Sequence, residues 1–415
     1  MAMLPELLAP AGNIQCVEAA FDHGADSVYV GIGRQNLRAH CANFLPEELV
    51  TAAGIAHRNG KKLYAALNIM PDNRRMSDIE ALLSRIDPHD ELPDAFIVSD
   101  PGVLTACRDH FPGIELHLST QTGTFNSRAV DFWQEHGVSR IILPRELTLG
   151  QVQEITRLAK VETEIFIHGA MCVSISGRCL LGLYLAGRHP NYGDCPQYCR
   201  LSYQIRAITP RGEIIDEELS AEEDGDATYL LNSKDLNTLP ILPDLLVTGV
   251  HGLKIEGRNR SVHYIATAVT VYREALDAYA KNPGSYVPDP SWAARLDSIE
   301  HRPYTTGFYS GEIAMQDISG AKAVPQAVPV AIVRQVLDNG FSILDVKNSF
   351  AAGQTVNVLP IRKGKAPFDI LIAGMKDLNG ATVTRANANC LVVLESNAHL
   401  RTGDILRRMP TAPAE

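Results

Sequence analysis

Along its first 300 residues the chain repeats one pattern: a short apolar run, a polar turn, then a stretch whose apolar positions recur at helical spacing. The apolar runs predict strands at 6–9, 27–31, 62–68, 95–99, 115–120, 140–144, 164–168 and 253–256. The stretches between them, such as NIQCVEAAFDHG with Asn13 as a cap and Gly24 as a stop, predict helices. Strands alternating with helices mean parallel βα units. Eight of them over about 260 residues are the number that closes a (β/α)8 TIM-type barrel, with a doubly wound sheet as the runner-up. Beyond Thr305 the pattern changes to short β-type runs separated by Gly, Asn and Lys turns, which predicts a second, small β-barrel module. The expected organisation is an α/β catalytic barrel over 1–305, interrupted by an insertion over 169–250 near its catalytic face, and a connector with the small β-barrel over 306–415.

In such barrels the functional side chains collect at the carboxyl ends of the strands. Here those ends are polar: Asn68, Ser99, His117 with Ser119 and Gln121, Arg145 with Glu146, His168, and Lys254 with Glu256 and Arg258. Period-two alternation puts His117, Ser119 and Gln121 on one face, and Lys254, Glu256 and Arg258 on another. A barrel interior is ordinarily filled by branched apolar residues, so the set reads as the lining of a pocket; caps and rim salt bridges are the alternative for any one member. His117 and His168, with Gln121 and Glu146 beside them, are the acid–base and catalytic candidates. Arg145, Lys254, Glu256, Arg258 and Arg260 are the substrate- and anion-binding candidates, the last two arginines near the start of the helix after the eighth strand.

Charge and composition refine this. The 38 Lys and Arg stand against 48 Asp and Glu, a net charge of −10, but residues 321–415 carry 11 basic and 7 acidic side chains, a net of +4, which leaves −14 for the first 320. A basic module on an acidic body is expected to dock a polyanion, with Arg362, Lys363, Lys365, Arg407 and Arg408 as its phosphate contacts; a protein partner or a second copy of the chain is the competing occupant. No apolar run reaches bilayer length and the first residues lack the basic flank and apolar core of a signal peptide, so a cytoplasmic, non-membrane protein is expected.

Eight cysteines are too few for a secreted disulfide scaffold, yet Cys172, Cys179, Cys195 and Cys199 fall within 28 residues, with gaps of six, fifteen and three. Clustered thiols in a reducing compartment point to metal before disulfides. Only the last pair has the spacing usual for structural zinc, and glycines flank the others, so the spacing favours a 4Fe-4S cluster and leaves zinc or redox-active thiols open. HExxH, GxSxG and Walker-type loops are absent, and GIGRQN lacks the last glycine of a dinucleotide fingerprint.

The segment EIFIHGAMCVSISGRC at 164–179 resembles the signature of peptidase family U-32, the "collagenase-like" peptidases. PELLAPAG, HLSTQTGTFN, RIILPRELTL, LNSKDL and LKIEGR match its neighbouring elements. Within that family the chain is most similar to the tRNA uridine hydroxylation proteins. The resemblance implies a tRNA-modifying enzyme that forms 5-hydroxyuridine at the wobble position, with prephenate as co-substrate and tRNA as partner. It also implies that Cys172, Cys179, Cys195 and Cys199 hold the 4Fe-4S cluster, with loss or replacement by zinc on aerobic purification. The family's older peptidase label, or a metal-stabilised binding scaffold, is the alternative function.

Overall fold

The computed structural model describes residues 4–39, 42–172, 179, 181–198, 234–311, 327–337, 339–361, 366–395 and 399–409, with isolated two-residue strands between 207 and 228. Seven βα units run in chain order: β1 Glu6–Pro10, α1 Ile14–Asp22, β2 Ser27–Gly31, α2 Pro46–Arg58, β3 Lys62–Leu67, α3 Asn73–Leu83, β4 Ala95–Val98, α4 Pro101–His110, β5 Glu115–Leu118, α5 Ser127–Glu135, β6 Arg140–Ile142, α6 Leu149–Leu158 and β7 Glu162–Ala170, followed by the short α7 Leu181–Ala186. After the cysteine-bearing segment come β8 Asp235–Asn237, α8 Leu242–Val247, β9 Gly252–Ile255, α9 Val262–Lys281, α10 Pro290–Asp297 and β10 Tyr304–Thr305. Strands β1 to β7 pair in parallel with their sequence neighbours, and β9 pairs in parallel with both β7 and β1, closing an eight-stranded barrel. The far end of β7 also carries β8 antiparallel, and β10 pairs with β8.

Local chemistry explains the units. Asn13 accepts a hydrogen bond from the Cys16 amide at the start of α1, Asp100 from Gly102 and Val103 at α4, and Thr148 forms a capping box with Gln151 at α6. Gly24, at φ +104°, turns the chain from α1 into β2, a conformation that carries little cost only in glycine. Leu7, Val28, Leu63, Phe96, Leu118, Ile141, Ile165 and Leu253 are buried together in one core.

Between 328 and 408 the described strands form an antiparallel sheet: β11 Val328–Val336, β12 Ser342–Val346, β13 Thr355–Leu359, β14 Phe368–Leu371, β15 Gly374–Lys376, β16 Thr382–Val383, β17 Leu391–Glu395 and β18 Ile405–Arg408. Their order is β14-β13-β18-β11-β12-β17-β15-β16. No pairing joins β14 to β16 among the described residues, so the sheet is a half-barrel, where the turn spacing predicted a closed one. It encloses its own core around Val330, Leu344, Phe350 and Leu406. A smaller apolar contact of Ala266 on α9 with Leu359 and Ile405 ties it to the barrel.

Candidate active site

A cavity of about 90 Å³ opens at the carboxyl ends of the barrel strands. Tyr29, Ala66, Ile97, Ile142 and Phe166 give it an apolar floor, and Asn68, Ser119, Thr120 and Gln121 a hydrogen-bonding wall. Its charged lining is Arg38, Arg145, Lys254, Arg258 and Glu256. Four of these are cations and one an anion, so the cavity presents a surplus of positive charge to whatever enters.

Each cation is held differently. Lys254 is buried, donates to Glu164 Oε1 at 2.9 Å and lies 4.2 Å from the Tyr29 ring centre. Burial pulls its pKa below the ordinary lysine value, and Glu164 is the chief opposing influence. Arg145 donates to the Ala170 carbonyl at 2.7 Å and lies over the Phe166 ring at 3.8 Å; among the described residues it has no carboxylate partner. Arg258 is clasped by Asn36 and by Asn43. Gly31 makes that possible, since a Cβ there would collide with the guanidinium. Arg38 pairs with Glu256 at 3.0 Å, and that carboxylate holds its pKa above the usual arginine value.

One layer deeper, the barrel interior is charged. Arg140 bridges Glu6 and Glu164, Tyr64 donates to Glu6 at 2.9 Å, and His117 contacts Glu115 Oε2 at 3.2 Å while its ring packs edge-on against Tyr64. Burial opposes ionisation of Glu6, but Arg140, Ser27 and Tyr64 together hold its pKa below the usual carboxylate value. Glu164 thus links this layer to Lys254 and the cavity above it.

Of the residues singled out in the sequence, Gln121, Arg145, Lys254, Glu256 and Arg258 line the cavity, and so does Cys172. His117 lies beneath it, where burial lowers its pKa. His168 is turned away altogether. The register between β7 and β9 slips at Lys254/Ile255, pairing Lys254 with Phe166 but Ile255 with His168. That extra residue reverses the facing expected from alternation. The His168 ring sits among Tyr264, Tyr272 and Tyr304 at 5.5 to 5.8 Å, both nitrogens lack a hydrogen-bond partner among the described residues, and burial drives its pKa down to about 3. Arg260 is committed to Glu300 at 3.1 Å and to Asp235, over the Tyr264 ring. Glu146 is half-buried outside the lining, close enough to Tyr309 to add to the rise that burial gives that phenol's pKa. Sequence reasoning passed over Arg38, Asn36 and Asn43, which follow β2; the only signal was the polarity of the segment after GIG.

The cysteine-bearing loop packs against that same segment: a Cβ at Gly193, φ +81°, would strike the Asn36 carbonyl and Ala39. Cys172 lines the cavity and Cys195 is exposed, but the described cysteines are not clustered at the catalytic face, where the insertion was expected to bring them. Cys179 is half-buried, and Cys199 lies outside the described residues. Soft thiol donors at a glycine-relieved rim suit an iron–sulfur group in kind. Among the described residues, however, no three His, Cys, Asp or Glu side chains are grouped closely enough to hold a metal. Arg407, expected on the basic surface, is instead buried against α9 and α10; Arg362, Lys363 and Lys365 lie outside the described residues. None of the described helices is long and apolar enough to cross a membrane.

The family model of peptidase family U32 matches residues 12–319. A Bacillus subtilis (strain 168) protein named tRNA hydroxylation protein P1 is 38% identical over 307 residues, covering 74% of this chain and 71% of the relative. The tRNA hydroxylation protein P of Escherichia coli (strain K12) is 38% identical over 342 residues, covering 73% and 74%. A protein of Porphyromonas gingivalis (strain ATCC BAA-308 / W83) named collagenase is 32% identical over 320 residues, covering 74% of each.

Proposed function

The chain belongs to peptidase family U32, and from that premise we propose that it is a tRNA-modifying enzyme that converts wobble uridine to 5-hydroxyuridine, with prephenate as co-substrate and a 4Fe-4S cluster on Cys172, Cys179, Cys195 and Cys199. The observation that carries the reading is the cation-rich cavity at the carboxyl ends of the strands. Prephenate carries two carboxylates and RNA a phosphate backbone, and both suit Arg145, Lys254 and Arg258. The enclosed volume corresponds to about three waters, well below the roughly 300 Å³ of a pocket that swallows a whole ligand. The cavity therefore takes one carboxylate head or the edge of one base while the rest of the ligand stays in the mouth.

Replacing the uracil C5–H by C5–OH is a two-electron oxidation. With water as the oxygen source it releases two electrons and two protons to an external two-electron acceptor, and an iron–sulfur cluster on the cysteines would supply the path for the electrons. The chain's own residues supply position and protons. Arg145 and Arg258 hold the anion, and Asn68, Ser119 and Gln121 offer amide and hydroxyl groups to a uracil edge unstacked from the anticodon loop. Lys254, with its burial-lowered pKa, is the lining group suited to exchange a proton, a role assigned from sequence to His117 and His168. Among the described lining residues there is no histidine.

Nucleoside mass spectrometry of tRNA from a deletion strain tests the proposal. Wobble 5-hydroxyuridine and its derivatives should disappear, and should return with the wild-type gene but not with Lys254→Met or Cys172→Ala. Unchanged tRNA would overturn the RNA reading, and full rescue by both variants would reduce the protein to a scaffold. Anaerobically purified protein should also be brown and hold about four irons per chain; colourless protein with one tight zinc would remove the cluster.

A further inference from the structure

A second, larger cavity of about 680 Å³ lies on the opposite side of α9 from the barrel interior, between α9, α10 and the end of β18. Its wall carries Glu274, Lys281, Trp292, Arg295, Ser298 and Arg407. Arg407 is 3% exposed, yet every hydrogen bond it makes with a described residue goes to a neutral group: its Nε donates to Asn357 Oδ1 at 2.9 Å, and its Nη1 to His263 Nε2 at 3.3 Å and Ser298 Oγ at 3.4 Å. It forms no ion pair with any described residue. The carboxylate that reaches it electrostatically, Asp369, does so through Asn357, which donates to Asp369 at 2.7 Å. Burial, and then repulsion from Arg295, pull its pKa down to about 10. A buried guanidinium without a counter-charge is costly, and such groups are ordinarily paired.

The carboxylates around the cavity do not supply the missing charge, because each already has a partner. Glu274 accepts from Arg295 and from Trp292 Nε1 at 3.0 Å, Asp277 pairs with Arg273 at 3.0 Å, and Asp289 caps α10 through the Ser291 amide at 2.8 Å. Among the described residues the charges without an ion-pair partner are positive: Arg407 in the wall and Lys281 at the exposed rim. We propose that this cavity binds a small organic anion, a carboxylate or phosphate monoester, whose charged head lies against Arg407 and whose apolar part packs towards Trp292. The volume is that of an ordinary metabolite site. Because Arg407 belongs to the C-terminal sheet and Trp292 to the barrel's outer helices, the bound anion joins the two modules. The site is separate from the barrel mouth and stands whether or not the tRNA reading does.

Trp292 is one of only two tryptophans, so the full-length Trp133→Phe protein reports on this cavity alone. Glycerol 2-phosphate and succinate, titrated separately at low chloride, distinguish the phosphate from the carboxylate head. One of them should change Trp292 fluorescence saturably, with a dissociation constant of about 1 mM or tighter, and raise the melting temperature. Arg407→Met, which removes an uncompensated buried charge and so leaves folding intact, should weaken that binding by about tenfold or more. Lys281→Met, at the rim, should weaken it less, and Arg145→Met in the barrel mouth should leave it unchanged. No saturable response to either anion up to about 10 mM, or an equal response in Arg407→Met, would overturn the proposal.

Discussion

Glu164 is wholly buried and is the only carboxylate that Lys254 touches among the described residues, at 2.9 Å, while its other oxygen accepts from Arg140 at 3.2 Å. Glu164→Gln keeps the shape and removes the charge. Arg140 keeps Glu6 and Glu162; Lys254 is left alone. Breaking a buried pair in this way costs about 3–5 kcal/mol. The folded variant has one escape, releasing the Lys254 proton. That costs about 1.4 kcal/mol for each unit between the ordinary lysine pKa and the ambient pH, so about 4.6 kcal/mol at pH 7 and about 1.9 kcal/mol at pH 9. With its folded pKa depressed, Lys254 binds fewer protons in the folded than in the unfolded state, so the variant gains stability as pH rises. Urea denaturation should therefore show a loss of about 3–4.5 kcal/mol at pH 7 that shrinks to about 2 kcal/mol at pH 9. Adding Lys254→Met should restore part of the loss at pH 7, because the stranded charge is gone. A loss below about 1 kcal/mol that is flat with pH, or a double variant whose losses simply add, would refute the claim that this pair carries the charge balance beneath the cavity.

Arg145 forms no ion pair with a described residue, so Arg145→Met should leave the melting temperature nearly unchanged while weakening prephenate binding by about tenfold or more, measured by calorimetry. Gly31→Ala should mimic Arg258→Met in the same assay, since the added methyl displaces the guanidinium from Asn36 and Asn43; wild-type affinity would show that Arg258 does not hold the anion. Three buried imidazoles, His23 with its pKa lowered to about 4 and His168 and His263 with theirs lowered to about 3, stay neutral in the fold. Their stabilising effect is complete above the unfolded histidine pKa and is lost as pH falls through it, by about 2 kcal/mol each at pH 5. His57, partly exposed and raised by Glu91 and Asp94 against its own desolvation, acts weakly in the opposite sense. Unfolding between pH 8 and 5 should show the drop, to which buried His117 adds in the same sense, and His168→Phe should remove about 2 kcal/mol of it; an unchanged slope would place a charged or solvated His168 in the native state.

What could be read from the chain, and what could not, divides along a physical line. Strand and helix positions rest on local patterns, and all eight barrel strands lie where apolar runs meet capped helices, down to the Asn13 cap and the Gly24 turn. Of the polar strand ends, Gln121, Arg145, Lys254, Glu256 and Arg258 line the cavity. Facing is a global property. One slipped residue between β7 and β9 moved His168 from the cavity into a tyrosine box, and nothing in EIFIHGA announces that slip. Charge is likewise read badly from counts: Arg407 added to a basic total for the C-terminal module but is buried where the sheet meets α9 and α10, off the outer surface. The same limit applies to the interior. Glu6, Arg140 and Glu164 look like ordinary surface charges in sequence, and only barrel closure brings three different strands together so that they neutralise one another. Closure also explains why a charged layer can persist there. Glu164 meets Arg140 below and Lys254 above, so apolar substitution of one member strands the others, and the layer stands or falls together with the cationic cavity it supports.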